Sequence, residues 1–152
     1  MPNLEWSKMN PLQLGRYGEY YAKMEFSSYG MDVYTSEVDD HGVDFVAKTK
    51  NGTFIEIQVK SVRVEKTQYV FMTKEHFNLD NDNLYLMLQL FEEDKLPLVY
   101  LIKASEWKNE NELLRDRNYD GLKSKPEYGI NLSKKNKLLL QKYLLENIIV
   151  LL

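Results

Sequence analysis

The stretch Val43-Asp44-Phe45-Val46-Ala47-Lys48-Thr49-Lys50-Asn51-Gly52-Thr53-Phe54-Ile55-Glu56-Ile57-Gln58-Val59-Lys60 decides how this chain is read. Two short apolar runs flank Asn51-Gly52, a dipeptide suited to the positive φ angles of a tight hairpin turn. Asp44 opens the first run. Along the second, Glu56, Gln58 and Lys60 alternate with Ile55, Ile57 and Val59. Side chains two apart on a strand point to the same face. One face of the second strand is therefore β-branched core, and the other is polar and partly charged.

Taken alone, each polar residue has an ordinary reading. Asp44 suits a strand entry or turn, Gln58 a half-exposed strand position, and Lys60 a strand end reaching solvent. In register, with a carboxylate opening the partner strand, they serve a packed sheet poorly and suit a site for metal and phosphate. Glu56 shares the face but lies one pleat repeat, roughly 6.6–6.8 Å, beyond Gln58. Two readings stay open for it: contact with a second metal, or pairing with a neighbouring strand.

The arrangement resembles the PD-(D/E)xK nuclease superfamily, in the variant where glutamine replaces the second acid. Gly42-Val43-Asp44 and Gln58-Val59-Lys60 are similar to the paired motifs of Mrr-like restriction endonucleases and archaeal Holliday-junction resolvases. A Glu on an upstream helix belongs to that plan, and Glu19 in Gly15-Arg16-Tyr17-Gly18-Glu19-Tyr20-Tyr21-Ala22 fits it. Its competing reading is a surface pair with Lys23 at i, i+4. The resemblance covers roughly the first half of the chain.

What the resemblance implies is specific. The fold is expected to be α/β (an α+β sandwich) with a restriction-endonuclease-like core, a central mixed β-sheet flanked by helices. The cofactor is expected to be Mg²⁺ or Mn²⁺, and the partner DNA, with RNA left open. The implied catalytic set is Glu19, Asp44, Gln58 and Lys60. Asp44 anchors the metal, Gln58 offers its amide oxygen, Val59 its main-chain carbonyl, and Glu19 completes the site directly or through a water. Lys60 stands beside the scissile phosphate. The expected activity is hydrolysis of DNA phosphodiester bonds, in restriction, repair or defence against mobile elements. The competing function is a noncatalytic module binding nucleic acid or protein on the same fold, because an amide at position 58 brings no charge to a cation.

Bulk properties bound these expectations. A chain of 152 residues fits one domain, 1–152, with a core that needs no disulfides. The absence of cysteine removes thiolate metal sites and cysteine nucleophiles. Met1–Lys8 lacks the apolar core of a signal peptide, and the longest apolar runs are too short for a bilayer. A soluble, cytoplasmic protein without membrane contact is expected. A formal net charge of −3 counts against a general nucleic-acid-coating protein, but a local basic patch on an acidic body can still hold DNA. Arg63, Lys66, Lys134, Lys135 and Lys137 are the candidates, equally readable as a solvated face. Gly15-Arg16-Tyr17-Gly18 lacks the Lys-Ser/Thr of a phosphate loop. His41 and His76 have no metal-ligand spacing.

The rest of the chain supplies the frame. The pattern predicts a helix over 12–29, a strand over 31–35, and an exposed acidic loop over 36–41 that includes Asp39, Asp40 and His41. A hairpin follows (42–49 and 53–64), then strands at 68–72, 84–91 and 98–103, with 84–91 apolar enough to be covered on both faces. Ser105 is expected to cap a helix reaching about Arg115, 116–129 to be a loop, and 133–146 the last helix. The apolar tail 148–152 reads either as a homodimer contact or as packing on its own sheet. So small a chain leaves little room for a specificity domain, so a partner for target recognition is also expected.

Overall fold

The computed structural model describes residues 1–38 and 41–152; Asp39 and Asp40 of the acidic loop lie outside the described residues. Helix α1 (Pro11–Ser28) begins where the sequence asks it to. The Asn10 side chain accepts from the Gln13 N–H at 2.8 Å, the Gln13 side chain accepts from the Asn10 N–H at 2.9 Å, and Pro11 takes the first position. The helix buries Leu14, Gly18, Ala22 and Phe26, a single i, i+4 stripe.

Strands follow as β1 (Asp32–Tyr34), β2 (Phe45–Lys48), β3 (Phe54–Arg63), β4 (Tyr69–Thr73), β5 (Leu84–Phe91), β6 (Leu98–Lys103), β7 (Leu114–Arg117) and β8 (Glu127–Asn131). Five form a mixed sheet in the order β1-β2-β3-β5-β6, in which only β3 and β5 run parallel. The other three form an antiparallel sheet, β4-β8-β7. Every residue of β5 is buried, which explains its unbroken apolar sequence. One of its faces, through Tyr85 and Met87, packs with Ala22 and Phe26 of α1 and with Ile55 and Ile57 of β3. The other, through Leu84, Leu86, Leu88 and Leu90, packs on Val70, Met72, Leu114 and Ile130 of the second sheet. The expected α+β sandwich with a mixed central sheet is present, and a small sheet rather than helices covers its second face.

Three local expectations are corrected. Ala104–Lys108 is a short 3-10 helix, and the expected helix to Arg115 ends there. The Asn111 side chain then accepts from the N–H groups of both Leu113 and Leu114 at 2.8 Å, turning the chain into β7. The expected loop 116–129 includes the end of β7 and the start of β8. The last helix is broken into 3-10 turns, α2 (Lys137–Leu140) and α3 (Leu145–Ile149), because Leu144 is extended and bridges to Tyr100 of β6. The tail divides: Ile148, Ile149 and Leu152 pack on the chain's own fold, while Val150 and Leu151 are 73% and 75% exposed. Ile149 is buried in the α1-side core and Leu152 packs against it. No helix among the described residues is long and apolar enough to cross a membrane.

Gly18 fixes how closely α1 approaches the sheet. A Cβ there would stand 1.8 Å from Ser61 Oγ and 2.9 Å from Ser61 Cβ. Gln89, fully buried, donates to the Gly18 carbonyl at 2.8 Å. Gly18→Ala should gain up to about 1 kcal/mol of helix propensity but lose about 1–3 kcal/mol to overpacking. Net destabilisation is expected in denaturant unfolding, and it should shrink in a Ser61→Gly background, where the obstructing side chain is gone.

Candidate active site

The hairpin β2–β3 brings the predicted residues together. Phe45 is the register partner of Ile57. One residue earlier, the Asp44 N–H still donates to the Ile57 carbonyl at 2.9 Å. The Asp44 carboxylate then takes over from the main chain: its Oδ2 accepts from the Val59 N–H at 2.6 Å. In an antiparallel pair a residue turns its N–H and C=O to the same neighbour. The Val59 carbonyl is therefore directed to the side where Asp44 stands. The register sets Asp44 opposite Gln58 where β2 leaves β3, and Lys60 follows on the same face of β3 as Gln58.

Gln58 is only 9% exposed, and its Oε1 is buried without a hydrogen-bond partner among the described residues. An orphaned amide oxygen in a native interior calls for a water or an ion. Gly42 (φ 79°) closes the loop over it: a Cβ at Gly42 would lie 3.3 Å from Gln58 Nε2 and 3.0 Å from His76 Cβ. That explains the glycine of the Gly-Val-Asp motif, since the backbone conformation disfavours a side chain and the space is taken. It also brings in a residue that sequence reasoning missed. His76 ends a 3-10 turn (Lys74–His76) just past β4 and walls the site beside Gln58. Only long-range packing puts it there, and no spacing in the sequence signals it.

Glu19 comes from the opposite layer. Tyr17 and Tyr21 stack on one flank of the buried stripe of α1, and Tyr17 meets Phe91 of β5 edge-on. Phe26, at the C-terminal end of that stripe, meets Phe45, the neighbour of Asp44 in the chain, with ring centroids 5.4 Å apart. Glu19 lies seven residues before Phe26, about two helical turns along the same side of α1. Its carboxylate is reached by Arg16 Nη1 at 3.4 Å, and the expected pair with Lys23 is not formed; Lys23 Nζ instead lies over the Tyr20 ring. Glu56 accepts from the Asn81 side chain, so it pairs with the loop before β5, not with a strand.

Among the described residues no three His, Asp or Glu side chains form a metal-binding group. Asp44, an amide oxygen and a carbonyl are nevertheless all oxygen donors. Mg²⁺ accepts such a set, keeping several waters and needing only one or two carboxylates. The residues fit a hard cation.

The basic candidates divide. Arg63 is tied by its Nη2 to Glu65 at 2.8 Å and approaches Glu93 at 3.9 Å, so it is not the open cation expected. Its hydrogen bond holds the Glu65 carboxyl below the usual carboxylate range. Lys66, Lys134 and Lys135 are exposed and have no ion-pair partner among the described residues. Lys66 lines a cleft of about 450 Å³ with Ser61, Arg63 and the start of α1, while Lys134 and Lys137 line one of about 220 Å³. Thr67 borders both, so the two basic groups flank the β3–β4 connection.

Solved structures share this architecture. Hjc of Archaeoglobus fulgidus, a Holliday junction resolvase from an archaeal hyperthermophile, superimposes with a TM-score of 0.55 at 11% identity. The match covers 90% of this chain and 95% of that one. The bacterial homing endonuclease I-Ssp6803I gives 0.51 at 18% identity, covering 88% of this chain and 94% of the other. The chain has a restriction-endonuclease-like fold. No protein-family model and no curated protein matches its sequence. At such identities the likeness is one of fold, and this restriction-endonuclease-like chain must be read from its own residues.

Proposed function

We propose that this chain is a metal-dependent endonuclease that hydrolyses DNA phosphodiester bonds, acting in the cytoplasm in restriction, repair or defence against mobile elements. One observation carries the reading: a carboxylate is locked on the Val59 N–H, and the neighbouring Gln58 has a buried amide oxygen with no hydrogen-bond partner among the described residues. Asp44, Gln58 and the Val59 carbonyl would hold Mg²⁺ or Mn²⁺, with Glu19 completing the set from α1. Such a cation, when bound, neutralises phosphate charge and makes water a better nucleophile. Lys60 places its ammonium beside the scissile phosphate, stabilising charge that develops in the transition state and positioning the attacking water. Lys66, Lys134 and Lys135 hold flanking phosphates. Cutting both strands of a duplex asks for two sites related by a two-fold axis, so the proposal extends to a homodimer, with the exposed Val150 and Leu151 of the C-terminal tail as its contact.

A noncatalytic module on the same fold is the second reading, favoured by the uncharged Gln58. A panel of linear, branched, modified and single-stranded DNA, with RNA beside it, separates the two when incubated with Mg²⁺ or Mn²⁺. Cleavage of at least one substrate, lost with chelator, is expected. Retention of DNA in a gel without cleavage of any substrate would favour the module.

A further inference from the structure

The sheet face that carries Glu56, Gln58 and Lys60 continues to the β1 edge, where Tyr34, Lys48 and Phe54 are exposed. Val33 of β1, Phe45 and Ala47 of β2, and Ile55 and Ile57 of β3 all point into the core under α1. Alternation turns Tyr34, Lys48 and Phe54 the other way. The register pairs Tyr34 with Val46 and Lys48 with Phe54. The rings of Tyr34 and Phe54 meet above β2 with centroids 6.0 Å apart, and Lys48 Nζ lies 5.7 Å from the Phe54 centroid. Two aromatic rings on one sheet face, 50% and 51% exposed, do nothing for the core.

We propose that Tyr34 and Phe54 form a stacking platform for an unpaired nucleobase of the nucleic acid cut at Asp44–Lys60; this rests on the nuclease reading of that site. Charge and position favour this occupant. Lys48, whose Nζ lies against the Phe54 ring, and Lys50, two residues on, are exposed and have no ion-pair partner among the described residues, so both can turn to a phosphate backbone. Asp32, the register partner of Lys48, is an exposed carboxylate beside them. The platform shares a strand and a face with the site. Phe54 precedes Gln58 by four residues, about 13 Å along β3, or roughly four steps of duplex rise. Within a duplex both faces of a base are covered by its neighbours, so these rings engage only bases that are unpaired or extruded. The platform would direct the enzyme to branched, frayed or single-stranded-tailed DNA over a continuous duplex.

The test uses the full chain in Ca²⁺, with fluorescein-labelled DNA: a blunt duplex, and the same duplex carrying a single-stranded tail at either end. The wild type should bind the tailed form more tightly. Phe54→Ala should weaken that binding by about 5- to 150-fold, the effect of losing one base–aromatic stack, and leave the blunt duplex unchanged. Phe54→Trp should restore it, and because Trp6 and Trp107 are each 2% exposed, quenching of the introduced indole by the tailed DNA reports stacking directly. An equal loss on both substrates, or no loss, overturns the platform while leaving the nuclease reading intact. A dimer that dissociates with Phe54→Ala assigns the face to a second copy and also overturns it. Failure of the wild type to bind any DNA overturns both.

Discussion

Asp44→Asn should reduce DNA cleavage by about 10²–10³-fold or more, the scale expected when a preorganised group at a reacting centre loses its charge, with the fold unchanged. The amide keeps an oxygen to accept the Val59 N–H, which in the native chain sits 2.6 Å from Asp44 Oδ2. Asp44→Ala is a poorer test. It removes that acceptor and adds about 1–3 kcal/mol of destabilisation from an unsatisfied donor, mixing stability with catalysis. Lys60→Ala should be as inactive as Asp44→Asn, because its ammonium acts on phosphate charge and not on the metal. Metal binding separates the two: Lys60→Ala should retain affinity for Mn²⁺ in calorimetry, and Asp44→Asn should lose most of it. Wild-type cleavage by either variant at limiting metal would show that the site has been assigned to the wrong residues.

The second large effect concerns Gln58. A carboxylate at this position would be 9% exposed if it kept the place of the amide. Without a cation, burial of that charge is costly and shifts the group toward its protonated form. With a cation, the same charge strengthens the site. Gln58→Glu should therefore be less stable than wild type in chelator, gain more from added Mg²⁺ through linkage, and keep cleavage. Gln58→Ala should bind metal weakly and turn over slowly, since an oxygen donor is lost. Thermal unfolding with and without Mg²⁺ measures this. Identical metal-induced shifts in the wild type and both variants would remove Gln58 from the metal site.

Residues 10–63 were legible because their signals are local. Helical spacing over 12–29 gives α1, Asn51-Gly52 turns the hairpin, and strict alternation from Ile55 to Val59 fixes which face is core. β5 and β6 were legible for a different reason, an apolar run with a turn between two strands. The C-terminal half depends on contacts that no short window contains. Trp107 looks helical by spacing but sits in a single 3-10 turn, its indole donating to the Gly129 carbonyl of β8 at 2.9 Å. Leu144 interrupts a helical pattern to bridge Tyr100. β8 carries Gly129 for packing: a Cβ there would lie 1.9 Å from the Tyr69 hydroxyl. In isolation that glycine reads as a loop. The site divided along the same line. Gly42, Asp44, Gln58 and Lys60 are nominated by motif alone, whereas the wall made by His76 and the pairing of Arg63 with Glu65 depend on tertiary neighbours.

The most direct test is nicking of a supercoiled plasmid by the wild type and by Asp44→Asn, each in Mg²⁺ and in chelator. Cleavage should appear only for the wild type with metal, and Asp44→Asn should remain folded and inactive. Equal nicking by both proteins, or nicking by the wild type that persists in chelator, would contradict a metal site built on Asp44.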